Sequence, residues 1–216
     1  MMKKLYLSVL LFGTTILAIA QASDPAAKAI LDGVSAKFKT FTTVQATFSY
    51  KVENASGKAL STKTGTIMMK GTKYKVNFSG QEIFCNGITI WNYDKAANEV
   101  TISKLDASSG MVTPQKLFTN FYDKDFRYIL NGEKTVNGKV LQEIEMTPLD
   151  KSKPFFKVYV QVDKTAKTIY STRVLENAGN RYSYTVSTMK TNVTLADSQF
   201  TFDKTKYPGV EEVDLR

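Results

Sequence analysis

The stretch Val44-Gln-Ala-Thr-Phe48-Ser-Tyr50-Lys-Val52 decides the fold. Its apolar residues alternate with polar ones, which is the period of a β-strand with one buried and one solvated face. Similar stretches follow along the chain, separated by short turns. Two turns carry Asn-Gly, at Asn86-Gly87 and Asn137-Gly138, and this pair favours a tight hairpin. No strand–helix–strand rhythm is present, so the pattern predicts an antiparallel sheet of about eleven strands.

The alternating stretches occupy most of the chain after residue 43. They lie at 44–52, 64–70, 74–79, 82–85, 88–93, 100–105, 126–134, 140–147, 155–162, 168–176, 182–190 and 200–203. Pro208-Gly209 is expected to end the regular structure. Because a sheet this large curls, we predict a mainly β protein whose sheet forms an incomplete barrel.

Two helical patterns accompany the strands. Pro25 suits the first position of a helix, with Ser23 or Asp24 as its cap. An apolar stripe follows at three- and four-residue steps, formed by Ile30, Leu31, Val34, Phe38 and Phe41. A second, short helix begins at Thr113-Pro114 and carries Leu117, Phe118, Phe121 and Tyr122 on one side. We expect both helices to cover the concave face of the curled sheet.

The N-terminus predicts a secretory signal peptide. Lys3 and Lys4 precede an apolar run from Leu5 to Ile19, and cleavage fits after Ala20 or Ala22. The run is interrupted by polar residues and is shorter than the ~20 residues that span a bilayer. We therefore expect residues 1–20 to be removed and residues 21–216 to fold as a single domain, free in the periplasm.

The composition disfavours catalysis and metal binding. The chain has no histidine, so the commonest general base and zinc ligand are missing. Cys85 is the single cysteine and alternates with Ile83, which predicts a small buried hydrophobe and not a nucleophile. The net charge is +9, but the basic residues are scattered singly along the strands, unlike a nucleic-acid groove. We expect no enzyme activity, no cofactor, no metal and no nucleic acid.

The apolar residues of the strands allow two interpretations, an ordinary packed core or a cavity for a hydrophobic ligand. The candidates for the concave face are Phe48, Tyr50, Ile67, Met69, Tyr74, Val76, Phe78, Ile83 and Trp91, with Leu117, Phe118 and Phe121 of the short helix. Trp91 departs from the alternation. If Ile88 and Ile90 point inward, Trp91 points to the other face unless the strand bulges.

Four stretches follow one another in a familiar order. Residues 41–50 form a helix-to-strand passage, and Asn86-Gly-Ile-Thr-Ile-Trp91-Asn-Tyr-Asp94 is similar to an Asp-Gly-x-x-Leu-Trp-x-Tyr-Asp hairpin. Residues 111–126 stand where a lid helix would be. Phe200-Thr-Phe202 is followed by Pro208-Gly-Val210. In this ordered set the chain resembles the outer-membrane lipoprotein carrier (LolA) family of periplasmic proteins.

The resemblance implies a function and a binding site. Such carriers are monomers that accept a lipoprotein from an inner-membrane ABC exporter, shield its acyl chains in the barrel and deliver it to an outer-membrane acceptor. Phe48, Trp91, Leu117, Phe118 and Phe121 would line the cavity or its lid, and Tyr74 matches an aromatic after the family's Arg-Pro segment. Where the family carries a lid-latching arginine, this chain has Lys70-Gly71. Lys70 is therefore the candidate latch, without the guanidinium fork.

Two other functions fit the same fold. One is a sensing and interaction module that reads stray lipids or lipoproteins, and the other is a carrier of a different envelope lipid, such as a glycolipid. A bound protein partner would favour the first, and the chemistry of a bound ligand would identify the second.

Overall fold

The computed structural model describes residues 23–106, 122 and 125–216. These residues form one helix, one twelve-stranded sheet and two short 3₁₀ turns. No helix among them is long and apolar enough to cross a bilayer. The helix α1 spans Pro25–Lys39, and the strands are β1 Thr43–Glu53, β2 Ala59–Lys70, β3 Lys73–Phe78, β4 Gln81–Cys85, β5 Thr89–Asp94, β6 Glu99–Lys104, β7 Phe126–Val136, β8 Lys139–Pro148, β9 Phe155–Asp163, β10 Thr168–Glu176, β11 Arg181–Thr191 and β12 Glu211–Asp214.

The strands are hydrogen-bonded in the order β12-β6-β5-β4-β3-β2-β1-β11-β10-β9-β8-β7. Strands β7 and β12 are the two edges, so the curled sheet does not close on itself. This confirms the predicted mainly β fold with an incomplete barrel. Strand β1 lies at the middle of the sheet, where it pairs with β2 on one side and β11 on the other.

The end of the chain differs from the prediction. Residues 200–203 do not pair as a strand; Asp197–Phe200 and Lys204–Lys206 are 3₁₀ turns. The last strand is β12, which pairs with β6 in parallel and follows Pro208-Gly209. Its Glu-Glu-Val-Asp sequence has no apolar alternation. The amides of Glu211, the first residue of β12, and of Leu215, which follows it, donate to the carbonyls of Asn98 and Ile102, at 3.0 and 2.8 Å. The sheet is therefore antiparallel except at this edge.

Helix α1 begins as predicted. The Asp24 side chain accepts a hydrogen bond from the Ala26 amide at 2.8 Å, and Pro25 occupies the first turn. The other carboxylate oxygen of Asp24 accepts from the Leu130 amide at 3.1 Å, so the cap also ties the helix to β7. The predicted signal peptide and most of the predicted short helix, residues 113–121, lie outside the described residues.

The two Asn-Gly turns differ. Asn137 and Gly138 both have positive φ, of 50° and 76°, and form the predicted two-residue turn between β7 and β8. Between β4 and β5 the loop has three residues. The Asn86 side-chain oxygen there accepts from the amides of Ile88 and Thr89, at 3.0 and 2.9 Å. Ile88 is therefore a loop residue, 74% exposed, and not the first residue of β5.

We call the face of the sheet that packs against α1 the inner face and the opposite one the outer face. The inner face carries two buried clusters. The first lies under α1 and contains Ala27, Leu31, Val34, Tyr122, Tyr128, Ile144, Met146, Val158, Val160 and Val162. The second contains Val44, Ala46, Met69, Tyr74, Cys85 and Ile90, with Phe38 and Phe41 packed against it. The outer cluster joins Tyr93, Val100, Ile102 and Val210.

Candidate functional site: an aromatic cluster on the inner face

Five aromatic side chains of the inner face lie outside the buried clusters. Their ring centroids are 4.9 to 6.0 Å apart, and Tyr184 is 44% exposed while the others are half-buried. We call this group the aromatic cluster: Phe48, Tyr50, Phe78, Tyr182 and Tyr184. A half-buried apolar surface of this kind is where a hydrophobic ligand would displace water.

Strand register brings these rings together. On β1, Phe48 and Tyr50 alternate with Ser49 and so share one face. Tyr50 pairs directly with Tyr184 of β11, and their ring centroids are 4.9 Å apart. Tyr182, two residues earlier, stacks on Tyr50 at 6.0 Å with an interplanar angle of 7°. Phe78 of β3 completes the group with an edge-on contact to Tyr50.

Gly65 leaves the space that the Phe48 ring occupies. The two residues pair across β1 and β2. A Cβ atom on Gly65 would lie 2.3 Å from Cζ of Phe48 and within 2.9 Å of two further ring atoms. The far edge of the Phe48 ring therefore occupies the place where a side chain of residue 65 would be.

The Tyr50 and Tyr184 hydroxyls of the cluster are protonated at neutral pH. Burial, then the neighbouring Tyr184 and Tyr182, raises the pKa of Tyr50, and burial raises the pKa of Tyr184. The Tyr182 hydroxyl donates to the Glu176 carboxylate at 3.1 Å and accepts from the Asn180 amide at 3.4 Å. Neutral hydroxyls on an apolar surface suit the binding of a ligand.

The structure places three further predicted residues beside the aromatic cluster. Ile67, Val76 and Ile83 are half-buried on the inner face and pack against the second cluster. They extend the apolar surface from the aromatic cluster along β2, β3 and β4. Each lies in register with the next, Ile67 opposite Val76 and Val76 opposite Ile83.

Two predicted lining residues are core residues here. Met69 is 3% exposed and Tyr74 is 5% exposed, both in the second cluster. Burial, then Cys85, raises the pKa of Tyr74 to about 12. Cys85 is fully buried, as predicted, and burial raises the pKa of its thiol. Such a thiol stays protonated and unreactive at neutral pH.

Trp91 lies on the other face of the sheet. Strand β5 pairs with β4 and β6 without a bulge, so Trp91 keeps the alternation and stands opposite Phe84. It packs half-buried against the outer cluster with Phe202 and Tyr207. The structure therefore does not bring Trp91 together with the inner-face residues. Leu117, Phe118 and Phe121 lie outside the described residues.

Lys70, the candidate latch, contacts the C-terminal segment. Because Met69 points inward, Lys70 at the next position points outward. Its ammonium group donates to the Leu195 carbonyl at 3.1 Å and to the Asp197 carboxylate at 2.9 Å. Lys73 reaches the same carboxylate at 2.6 Å. Among the described residues, Lys70 therefore anchors residues 195–197 to the outer face of β2 and β3.

Sequence reasoning missed the β11 side of the site. Tyr182, Tyr184 and Val186 all face inward, and Val186 stands opposite Phe48. Their alternation within Arg181–Thr191 is visible in the sequence. A bulge at Ser187, where Thr47 pairs with Thr188 but Phe48 pairs with Val186, keeps these residues on the inner face. Counting alternate residues back from the inward Met189 would place Tyr182 and Tyr184 on the outer face, because such a count does not include the bulge.

Comparison with known proteins extends the likeness over most of the chain. Residues 39–203 match the family described as "Outer membrane lipoprotein carrier protein LolA". An outer-membrane lipoprotein carrier protein from Pseudomonas paraeruginosa is 25% identical over 99% of this chain and 98% of that protein. One from Cupriavidus necator is 26% identical over 70% of this chain and 72% of its own length.

One solved structure has the same fold. It is an uncharacterized conserved protein from Thermus thermophilus, with a TM-score of 0.60 and 15% sequence identity, covering 88% of this chain and 99% of that one. At this identity the likeness concerns the fold alone. It supports the curled-sheet architecture on which the inner-face cluster is built.

Proposed function

Because the chain belongs to the outer-membrane lipoprotein carrier (LolA) family, we propose that it is a periplasmic carrier that binds lipoprotein acyl chains on its inner face and moves them from the inner to the outer membrane. The observation that carries this proposal is the aromatic cluster. It is half-buried and continuous with the apolar surface of Ile67, Val76 and Ile83.

The physical need for such a surface is simple. Each methylene group taken out of water gains about 0.8 kcal/mol, so free acyl chains do not cross an aqueous compartment unaided. A carrier must cover the chains and still release them. The side chains of the aromatic cluster, which are half-buried or exposed, offer such a surface.

The proposal extends to the route. An inner-membrane ABC exporter would load the protein and an outer-membrane acceptor would unload it. In cells without this protein we expect outer-membrane lipoproteins to accumulate at the inner membrane, measured by membrane fractionation. Normal sorting in that strain would contradict the carrier role and favour a sensing module or a carrier of another lipid.

Binding is tested directly on the protein recovered from the periplasm. Native mass spectrometry should find a diacylated or triacylated cargo on the wild type, and Phe78→Glu should release it because a carboxylate then faces the chains. Phe156→Glu is the matched control, since Phe156 is 48% exposed and belongs neither to the aromatic cluster nor to the buried clusters. Cargo that stays bound to Phe78→Glu would contradict the proposed site.

A further inference from the structure

Two hydroxyl groups of the aromatic cluster have no hydrogen-bond partner among the described residues. Within residues 23–106, 122 and 125–216, the Tyr50 and Tyr184 hydroxyls make no hydrogen bond, whereas Tyr182 is bonded to both Glu176 and Asn180. Both rings sit on the inner face, and neither hydroxyl belongs to the buried polar atoms that lack a partner. They are therefore open to a ligand or to water.

These hydroxyls stand where the apolar surface meets polar groups. Toward the second cluster, strand β1 continues from Tyr50 through Phe48 to Ala46, which lies about 13 Å from Tyr50 at the usual rise of a strand. Beside Tyr50 lie two charged residues: Lys63, which pairs with it across β1 and β2, and Glu176, which accepts a hydrogen bond from Tyr182. A bound lipid would place its chains over Phe48 and its polar end toward Lys63 and Glu176.

The groups at this boundary between the apolar surface and the charged residues favour a neutral hydrogen-bond acceptor on the ligand. Both tyrosines are protonated, since burial raises the pKa of each, and the charges of Lys63 and Glu176 flank them on opposite sides. A protonated phenol donates well to a carbonyl oxygen. In an acylated glycerol, the ester carbonyls are the acceptors that lie between the chains and the polar end.

We propose that Tyr50 and Tyr184 donate hydrogen bonds to the ester carbonyl oxygens of the bound lipid and so fix how deep its chains enter. This inference rests on the proposed function and deepens it. It makes these two tyrosines specificity-determining residues that distinguish ester-linked from ether-linked chains. Van der Waals contact with the chains alone would not distinguish the two, because an ether lacks the carbonyl but keeps the chain.

The test compares two probes, dioctanoyl phosphatidylglycerol and its dioctyl ether analogue, each competing with a fluorescent fatty acid for the protein. The quantity measured is the ratio of ester to ether affinity. With about fivefold per net hydrogen bond, we expect this ratio in the wild type to be at least about tenfold larger than in Tyr50→Phe/Tyr184→Phe. The rings, and hence the apolar surface, remain in that variant.

Tyr159→Phe is the matched control. Tyr159 lies on the outer face, between the inward Val158 and Val160, and its substitution should leave the wild-type ratio unchanged. Equal ratios in the wild type and the double variant would overturn the inference while leaving the carrier function in place. A wild type that binds neither probe would overturn the carrier function as well.

Discussion

Gly65 shows how one missing side chain shapes the inner face. The Phe48 ring occupies the space where a Cβ would be, with Cζ only 2.3 Å from that position. The φ angle of Gly65 is not positive, so its backbone conformation suits alanine. An added methyl group would therefore clash only with the Phe48 ring. The ring must therefore rise into the space above the sheet when a methyl group is added.

We expect Gly65→Ala to destabilise the protein by about 1–3 kcal/mol, the usual cost of overpacking, and to weaken lipid binding. Urea unfolding and probe competition measure the two effects. Gly33→Ala is the control: apart from its chain neighbours and the backbone of its own helix, no atom lies within 4 Å of its Cβ position, and alanine in a helix interior is favoured by about 1 kcal/mol. Phe48→Leu in the Gly65→Ala background should recover stability. Full stability of Gly65→Ala alone would contradict this account.

Residue-scale prediction from the sequence works where alternation is regular. The period alone assigns Phe48, Tyr50 and Phe78 to the inner face, and the structure places them together. The family resemblance puts Trp91 there too, although its alternation points outward, and the alternation is right. Tyr182 and Tyr184 escape prediction, because the pairing of β1 with β11, about 140 residues apart along the chain, is not visible in a local pattern.

At the scale of elements, the C-terminal segment is held to the outer face by charge. Lys73 and Lys70 both bond to Asp197 and lower the pKa of that carboxyl to about 2, against 3.8 for an ordinary Asp. A group whose pKa is lowered on folding stabilises the fold above its unfolded pKa. That contribution is lost as the pH falls from about 4 to about 2.

We therefore expect Asp197→Asn to reduce the pH dependence of stability between about pH 4 and pH 2 and to leave its slope near neutral pH unchanged. Thermal unfolding across this range measures the effect. Asp150→Asn is the comparison. Hydrogen bonds from Ser152, two residues away in the same turn, lower the pKa of Asp150, but they do not join two elements of the fold. Identical pH profiles for the wild type and Asp197→Asn would show that this carboxylate does not stabilise the fold.

The element that sequence reasoning misplaces belongs to the same segment. Phe200 and Phe202 resemble a strand in the sequence because they alternate with Thr201. In the structure they do not pair with a neighbouring strand. Their contribution is side-chain packing: the Phe202 ring contacts Phe84 and Tyr93, at 5.7 and 5.9 Å between ring centroids. The strand that does form, β12, is short, acidic and parallel to β6. Its position depends on backbone bonds to β6 after a long return of the chain, which no local pattern encodes.

At the scale of the molecule, the sheet has two halves with separate cores. Strands β2 to β5 enclose the second cluster with β1, and β7 to β9 enclose the first cluster with α1. Pairing of β1 with β11 joins the halves, and the aromatic cluster lies at this junction. The hairpin order predicts the curled sheet. The sequence does not predict that the core is divided into two clusters, because that division depends on where α1 packs.

A ligand at the junction should therefore stabilise the whole molecule and do so according to chain length. Each further methylene buried adds about 0.8 kcal/mol, so the dissociation constant should fall about fourfold per carbon until the chain outgrows the apolar surface. At about a hundredfold excess over the dissociation constant, ligand binding stabilises by about 2.7 kcal/mol.

Calorimetry with lysophosphatidylglycerols of eight to sixteen carbons, each below its micelle concentration, should show the unfolding temperature rising and then levelling off. Because the chains would span Phe48 of β1, Val186 of β11 and Ile67 of β2, the two halves should also unfold together. A shift independent of chain length would mean that the headgroup carries the binding and that the chain does not lie on the inner face.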